Sequence, residues 1–113
     1  MHEYSIVQAL LQRVDDEVAA HGATRVHAVR VRIGELAGVE IDLLRTAYET
    51  IRRGTVCEAA PLDIARVDAR WECPRCATRI VRGRALQCET CGAAARLTSG
   101  DEIVLDRLEM EVA

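Results

Sequence analysis

At 113 residues, half of them apolar, the chain is long enough for one domain with its own core and a small appended module. That core must be aliphatic, because phenylalanine is absent and only Trp71, Tyr4 and Tyr48 are aromatic. A net charge of −3, with every one of the fifteen basic residues an arginine, argues against a general polyanion binder, and no apolar run approaches the roughly 20 residues of a membrane span.

Between residues 6 and 18 the apolar side chains Ile6, Val7, Leu10, Leu11, Val14 and Val18 recur at helical spacing, with Gln12, Arg13, Asp15, Asp16 and Glu17 mostly opposite. Ser5 and Gln8 have the spacing of a capping box, the alternative being a helix that starts a turn earlier, and Gly22 suits a left-handed terminator. His21, at the end of this helix, complements the helix dipole. RVHAVRVRI, residues 25–33, alternates instead. Val29, Val31 and Ile33 share one face and Arg30 and Arg32 the other, so a half-buried strand is expected, with His27 on the apolar parity. A turn-rich IGELAGVE follows, and Glu35 within it reads as a loop-surface acid. A second amphipathic helix carries Leu43, Leu44, Ala47, Tyr48 and Ile51 on one face, with Glu40 and Asp42 near its start and Gly54 closing it.

PLDIARVDARW (61–71) and EIVLDRLEMEV (102–112) read as strands whose apolar parity changes partway, the sign of a bulge or a bend between two surfaces. The two are expected to pair antiparallel and carry the chain out to the segment between them. The fold class is therefore α+β, two helices packed on a three-stranded sheet, with an inserted four-cysteine zinc-ribbon-like module. The expected division is residues 1–69 plus 98–113 for a discontinuous α/β domain and 70–97 for the module.

The start MHEYS has neither the basic region nor the apolar stretch of a signal peptide. A cytoplasmic location is expected, where thiols stay reduced and five cysteines need a purpose other than disulfides. Cys73 and Cys76 form one CxxC pair and Cys88 and Cys91 another, eleven residues apart. Two such turns face to face supply four thiolates in a tetrahedron, which suits Zn(II). Pro74 stiffens the first turn and Gly92 eases the second. A redox CxxC explains only one pair, and a rubredoxin-like iron site normally sits among more aromatics. Four thiolates leave no open position, so the metal is expected to be structural. Cys57, with no partner nearby, reads as a small residue tucked in after a helix.

The other end of the chain offers a different donor set. The Met1 amine, the backbone nitrogen of His2 and its imidazole can close fused five- and six-membered chelate rings on one ion. Such planar nitrogen sites suit Ni(II) or Cu(II), with Glu3 or water completing the set. A carrier site of this kind belongs on an exposed, mobile terminus. Amine and imidazole must both lose protons to bind, so affinity is expected to fall below neutrality.

MHEYSI at the start, RVRIGELAGVE, AYETIRRGT, the four spaced cysteines and the ending SGDEIVLDRLEMEVA together span nearly the whole chain in order. On these motifs the sequence resembles the HypA/HybF family of hydrogenase-maturation nickel metallochaperones. The resemblance implies Ni(II) as transient cargo at Met1, His2 and Glu3, and structural zinc at Cys73, Cys76, Cys88 and Cys91. It also implies partners: a nickel-binding GTPase, the large subunit of a [NiFe]-hydrogenase and, for some relatives, urease maturation proteins. No enzyme activity is expected, since the chain has no nucleophile–base motif and no Gly-rich phosphate loop. The competing reading is a nucleic-acid-binding ribbon. Residues 70–96 hold six arginines against Glu72 and Glu89, a formal +4 that a zinc tetrathiolate lowers to about +2. Without stacking aromatics that charge is modest, and no nucleic-acid partner is expected.

Overall fold

The structure is a computed structural model, and it describes residues 2–113. In chain order the elements are α1 (His2–His21), β1 (Ala23–Gly34), α2 (Ile41–Ile51), β2 (Leu62–Val67), β3 (Arg70–Glu72), β4 (Arg79–Ile80), β5 (Arg96–Ser99) and β6 (Ile103–Val112). They form two three-stranded sheets, β2-β1-β6 and β4-β3-β5, in a body of 56 × 29 × 16 Å. The first sheet and both helices make the expected α+β body, and the cysteine segment adds the second, smaller sheet.

Helical periodicity accounts for the helix packing. Val7, Leu11 and Val14 of α1 lie on one stripe and are buried with Leu44, Ala47 and Tyr48 of α2 against Val26, Val29, Val31 and Ile33 of β1. Burying each large aliphatic side chain is worth roughly 1.5–3 kcal/mol, so this layer is the main source of stability. Tyr48 brings a polar group into that core, and its hydroxyl donates to the Ala60 carbonyl at 2.6 Å. Cys57 packs in the same cluster, fully buried, and burial pushes its thiol pKa up. It follows α2 as expected, but as a core residue rather than a semi-buried one.

Three expectations need correction. First, the segments 61–71 and 102–112 do not pair with each other. β1 lies between them, parallel to β2 and antiparallel to β6. A parallel β1–β2 pair requires a crossover, which α2 provides, and the central strand β1 thereby holds the buried residues of this sheet, with none in β2 or β6. The parity change in 61–71 has a related origin: Val67 ends β2 in one sheet, and Arg70 begins β3 in the other. In 102–112 it is a bulge at Asp106, where Arg30 pairs with Arg107 and the next residue, Val31, with Leu105.

Second, His27 is not on the buried face. The register slips between Val26 and Ala28, so the strand's inward set changes from Val26 to Val29, Val31 and Ile33, and His27 turns out to meet Glu111 at 3.1 Å. Third, α1 is already helical at His2, so Ser5 and Gln8 lie inside it and form no capping box. His21 does end the helix, 3.3 Å from Glu17.

Candidate metal centres

The four cysteines converge. Cys73, Cys76, Cys88 and Cys91 bring their sulfurs within 4.8 Å of one another. A zinc tetrathiolate with bonds of about 2.3 Å has edges of about 3.8 Å, so the cluster fits such an ion with only small closure. Cys73 and Cys88 are buried while Cys76 and Cys91 are exposed, so each knuckle contributes one inner and one outer sulfur.

Both knuckles are built alike. Ala77 N–H donates to the Cys73 carbonyl and Gly92 N–H to the Cys88 carbonyl, each at 2.9 Å. The chain then reverses through a left-handed residue, Ala77 at φ 57° and Gly92 at φ 75°. Glycine takes that conformation without strain; alanine does not. Within the first knuckle the backbone N–H groups of Arg75 and Cys76 donate to the Cys73 sulfur at 3.4 and 3.3 Å. Such donors favour thiolate. They hold Cys73 below the ordinary thiol range, and the N–H groups of Cys91 and Thr90 bring Cys88 to about 6. Cys76 is pushed up to about 12, chiefly by the Cys91 thiol beside it and then by desolvation. A bound cation would reverse that repulsion.

At the amino end, Met1 lies outside the described residues. His2 and Glu3 occupy the first turn of α1, which is not the mobile tail expected of a carrier site. His2 Nε2 sits 2.8 Å from the Gly38 carbonyl and 3.3 Å from Glu3 Oε2. Glu3 is only 4% exposed, the one buried charged residue among those described, and its carboxylate accepts from the Glu40 N–H at 3.2 Å. The positive amino end of the chain, then that N–H, hold its carboxyl down at about 2. Gly38 and Glu40 are backbone partners with no sequence signature beyond the glycine itself.

The loop following β1 reaches both the amino end and the cysteine module. While Gly38 and Glu40 hold the amino end, Glu35 accepts from the Ala69 N–H at 2.9 Å and pairs with Arg82 of the cysteine module. That pairing keeps the Glu35 carboxyl below its usual range, through Arg82 first and Ala69 second. Glu35 is thus more than a surface acid, because it ties the module to the α/β body. Beside it, a Cβ on Gly34 would overlap the carbonyl group of Gly100, so two stretches of backbone pack directly on each other.

Fold and site together define the class: an α+β protein with a two-knuckle cysteine ribbon suited to a metal ion. The family model for HypA, described as hydrogenase/urease nickel incorporation metallochaperone, matches residues 1–110. Among similar proteins is the hydrogenase maturation factor HypA of Nitrosospira multiformis, 39% identical over 112 residues and 97% of each chain. Another is that of Azotobacter vinelandii, 36% identical over 98% of this chain and 100% of the relative. The solution structure of the nickel metallochaperone HypA from Helicobacter pylori superposes with a TM-score of 0.76 at 32% identity, with all of both chains covered. A second HypA solution structure gives 0.80 at the same identity, covering 100% of this chain and 98% of that one. The chain belongs to the HypA family of nickel metallochaperones for hydrogenase maturation.

Proposed function

We propose that this protein carries Ni(II) on Met1, His2 and Glu3 for delivery to a [NiFe]-hydrogenase, while zinc on the four cysteines is purely structural. The observation that carries the reading is the position of His2 and Glu3 in the first turn of α1. The first four N–H groups of a helix have no intrahelical acceptor, so a metal can take a deprotonated amide nitrogen there without breaking the helix ladder. A cation at this positive helix end is disfavoured by the dipole, and the buried Glu3 carboxylate offsets that cost.

The two centres divide the work. Four thiolates close a coordination shell and hold the ion, whereas a nitrogen set at the chain end leaves room for exchange. Nitrogen ligands alone bind copper more tightly than nickel, so selectivity must come from metal supply and from partners. Those partners are a nickel-binding GTPase, the hydrogenase large subunit as recipient and, on the family's description, a urease pathway as the other destination. The α/β body and the cysteine module act as two domains, 1–69 plus 98–113 and 70–97, in the cytoplasm.

The test is metal analysis of untagged protein after nickel exposure. His2→Ala should lose tight nickel and keep one zinc, and an amino-terminal tag should do the same by converting the amine into an amide. Nickel surrounded by sulfur in the X-ray absorption spectrum of the loaded wild type would overturn the assignment.

A further inference from the structure

His2 Nε2 faces two groups that can only accept, the Gly38 carbonyl at 2.8 Å and the Glu3 carboxylate at 3.3 Å. Nε2 must therefore carry a hydrogen, and a neutral ring then has its lone pair on Nδ1. Only Nδ1 can close a six-membered ring with the residue's own backbone nitrogen. The hydrogen bond thus occupies the nitrogen a chelated ion does not use and leaves available the one it does.

We infer that the Gly38 carbonyl is a positioning group of the nickel site, holding the His2 ring in the Nε2–H tautomer so that Nδ1 is ready to bind. The inference rests on nickel binding at His2. Two further observations and one general property of histidine ligands support it. Gly38 has φ +73°, the left-handed region, yet a Cβ there would meet nothing within 4 Å. Its glycine therefore serves backbone direction rather than space, and that direction aims the carbonyl at the ring. Two residues on, the Glu40 N–H holds Glu3 Oε2, so one loop positions both side chains. A ring N–H given to a carbonyl also makes the opposite nitrogen a better donor, the usual arrangement around metal-binding histidines.

The experiment has two arms on untagged protein. Long-range proton–nitrogen spectra of the histidine-labelled, metal-free protein in mildly alkaline buffer should show His2 as the Nε2–H tautomer. Gly38→Val, which strains this φ while its Cβ meets nothing within 4 Å, should weaken nickel binding by on the order of 10–100-fold and leave zinc content and helicity unchanged. Gly83→Val, an equally open left-handed glycine at φ +87° in the cysteine module, should leave nickel affinity at the wild-type value. An Nδ1–H tautomer, or wild-type nickel affinity in Gly38→Val, overturns the inference. If Gly38→Val does not fold, the tautomer decides alone. His2→Ala run alongside separates the two levels: retained nickel there refutes the terminal site itself, whereas lost nickel beside an Nδ1–H ring refutes only the role of Gly38.

Discussion

Replacing Gly34 by alanine tests how the body and the cysteine module are joined. The added methyl would overlap the carbonyl group of Gly100 and come within 2.7 Å of Asp101 N, where ordinary contact needs 3.4–4 Å. All three atoms are main chain, so no side chain can swing aside. Gly100 cannot retreat either, since its own Cβ position lies 2.5 Å from the Ala69 Cα. The strain can be relieved only by parting the backbones, which puts at risk the bonds from Leu36 N–H to the Gly100 carbonyl at 2.7 Å and from Gly34 N–H to the Glu102 carbonyl at 2.8 Å. One or two such bonds at about 1 kcal/mol each, with about 1–3 kcal/mol of overpacking, give a loss of about 2–5 kcal/mol. For a domain of this size that lowers Tm by roughly 10–30 °C. Urea unfolding followed by far-UV circular dichroism, with zinc present throughout, measures it. Gly38→Ala is the control, because no atom lies near and only the cost of a left-handed alanine, about 1–2 kcal/mol, applies. If Gly34→Ala is no more damaging than Gly38→Ala, the backbones are not held as tightly as the geometry implies.

Three other outcomes follow from the same geometry. The Glu35 carboxyl has a lowered pKa in the fold, so its clasp on Ala69 and Arg82 is fully formed above the ordinary value of 4.5 and fades as pH falls through the lowered one. The Ala69 amide resonance should report that transition, and a midpoint at or above 4.5 contradicts the pairing. Removing zinc with a chelator should expose the amides of residues 70–99 to exchange while those of β1 stay protected, because Cys73 and Cys88 are the only buried apolar residues in that stretch. Equal loss of protection in both sheets would show one cooperative unit instead. Ala77→Gly should stabilise the zinc-loaded protein by about 1–2 kcal/mol in thermal unfolding, since it removes left-handed strain at φ 57°. A lower Tm would mean that the alanine methyl contributes packing that outweighs the strain.

Much of this protein is local chemistry, and local chemistry is legible in a sequence. The stripe of Val7, Leu11 and Val14, the alternation of Val29, Val31 and Ile33, and the two CxxC pairs each act through spacing along one element. Helices, the half-buried strand and the four-sulfur cluster can therefore be read directly. The parity break in 102–112 is equally visible, and the bulge at Asp106 is its cause. Strand order is not legible: pairing β1 with β2 depends on where α2 returns the chain, which no short window records. The parity of β1 misleads at His27 because a one-residue bulge beside it reverses the inward face, and a bulge has no residue requirement of its own. The tertiary structure alone decided how the amino end is held. Gly38 and Glu40 act through backbone atoms, which every residue type carries, and Glu35 finds Arg82 across 47 residues of chain. Side-chain type reveals which groups can bind or pack, but only the folded path of the main chain brings a carbonyl to an imidazole.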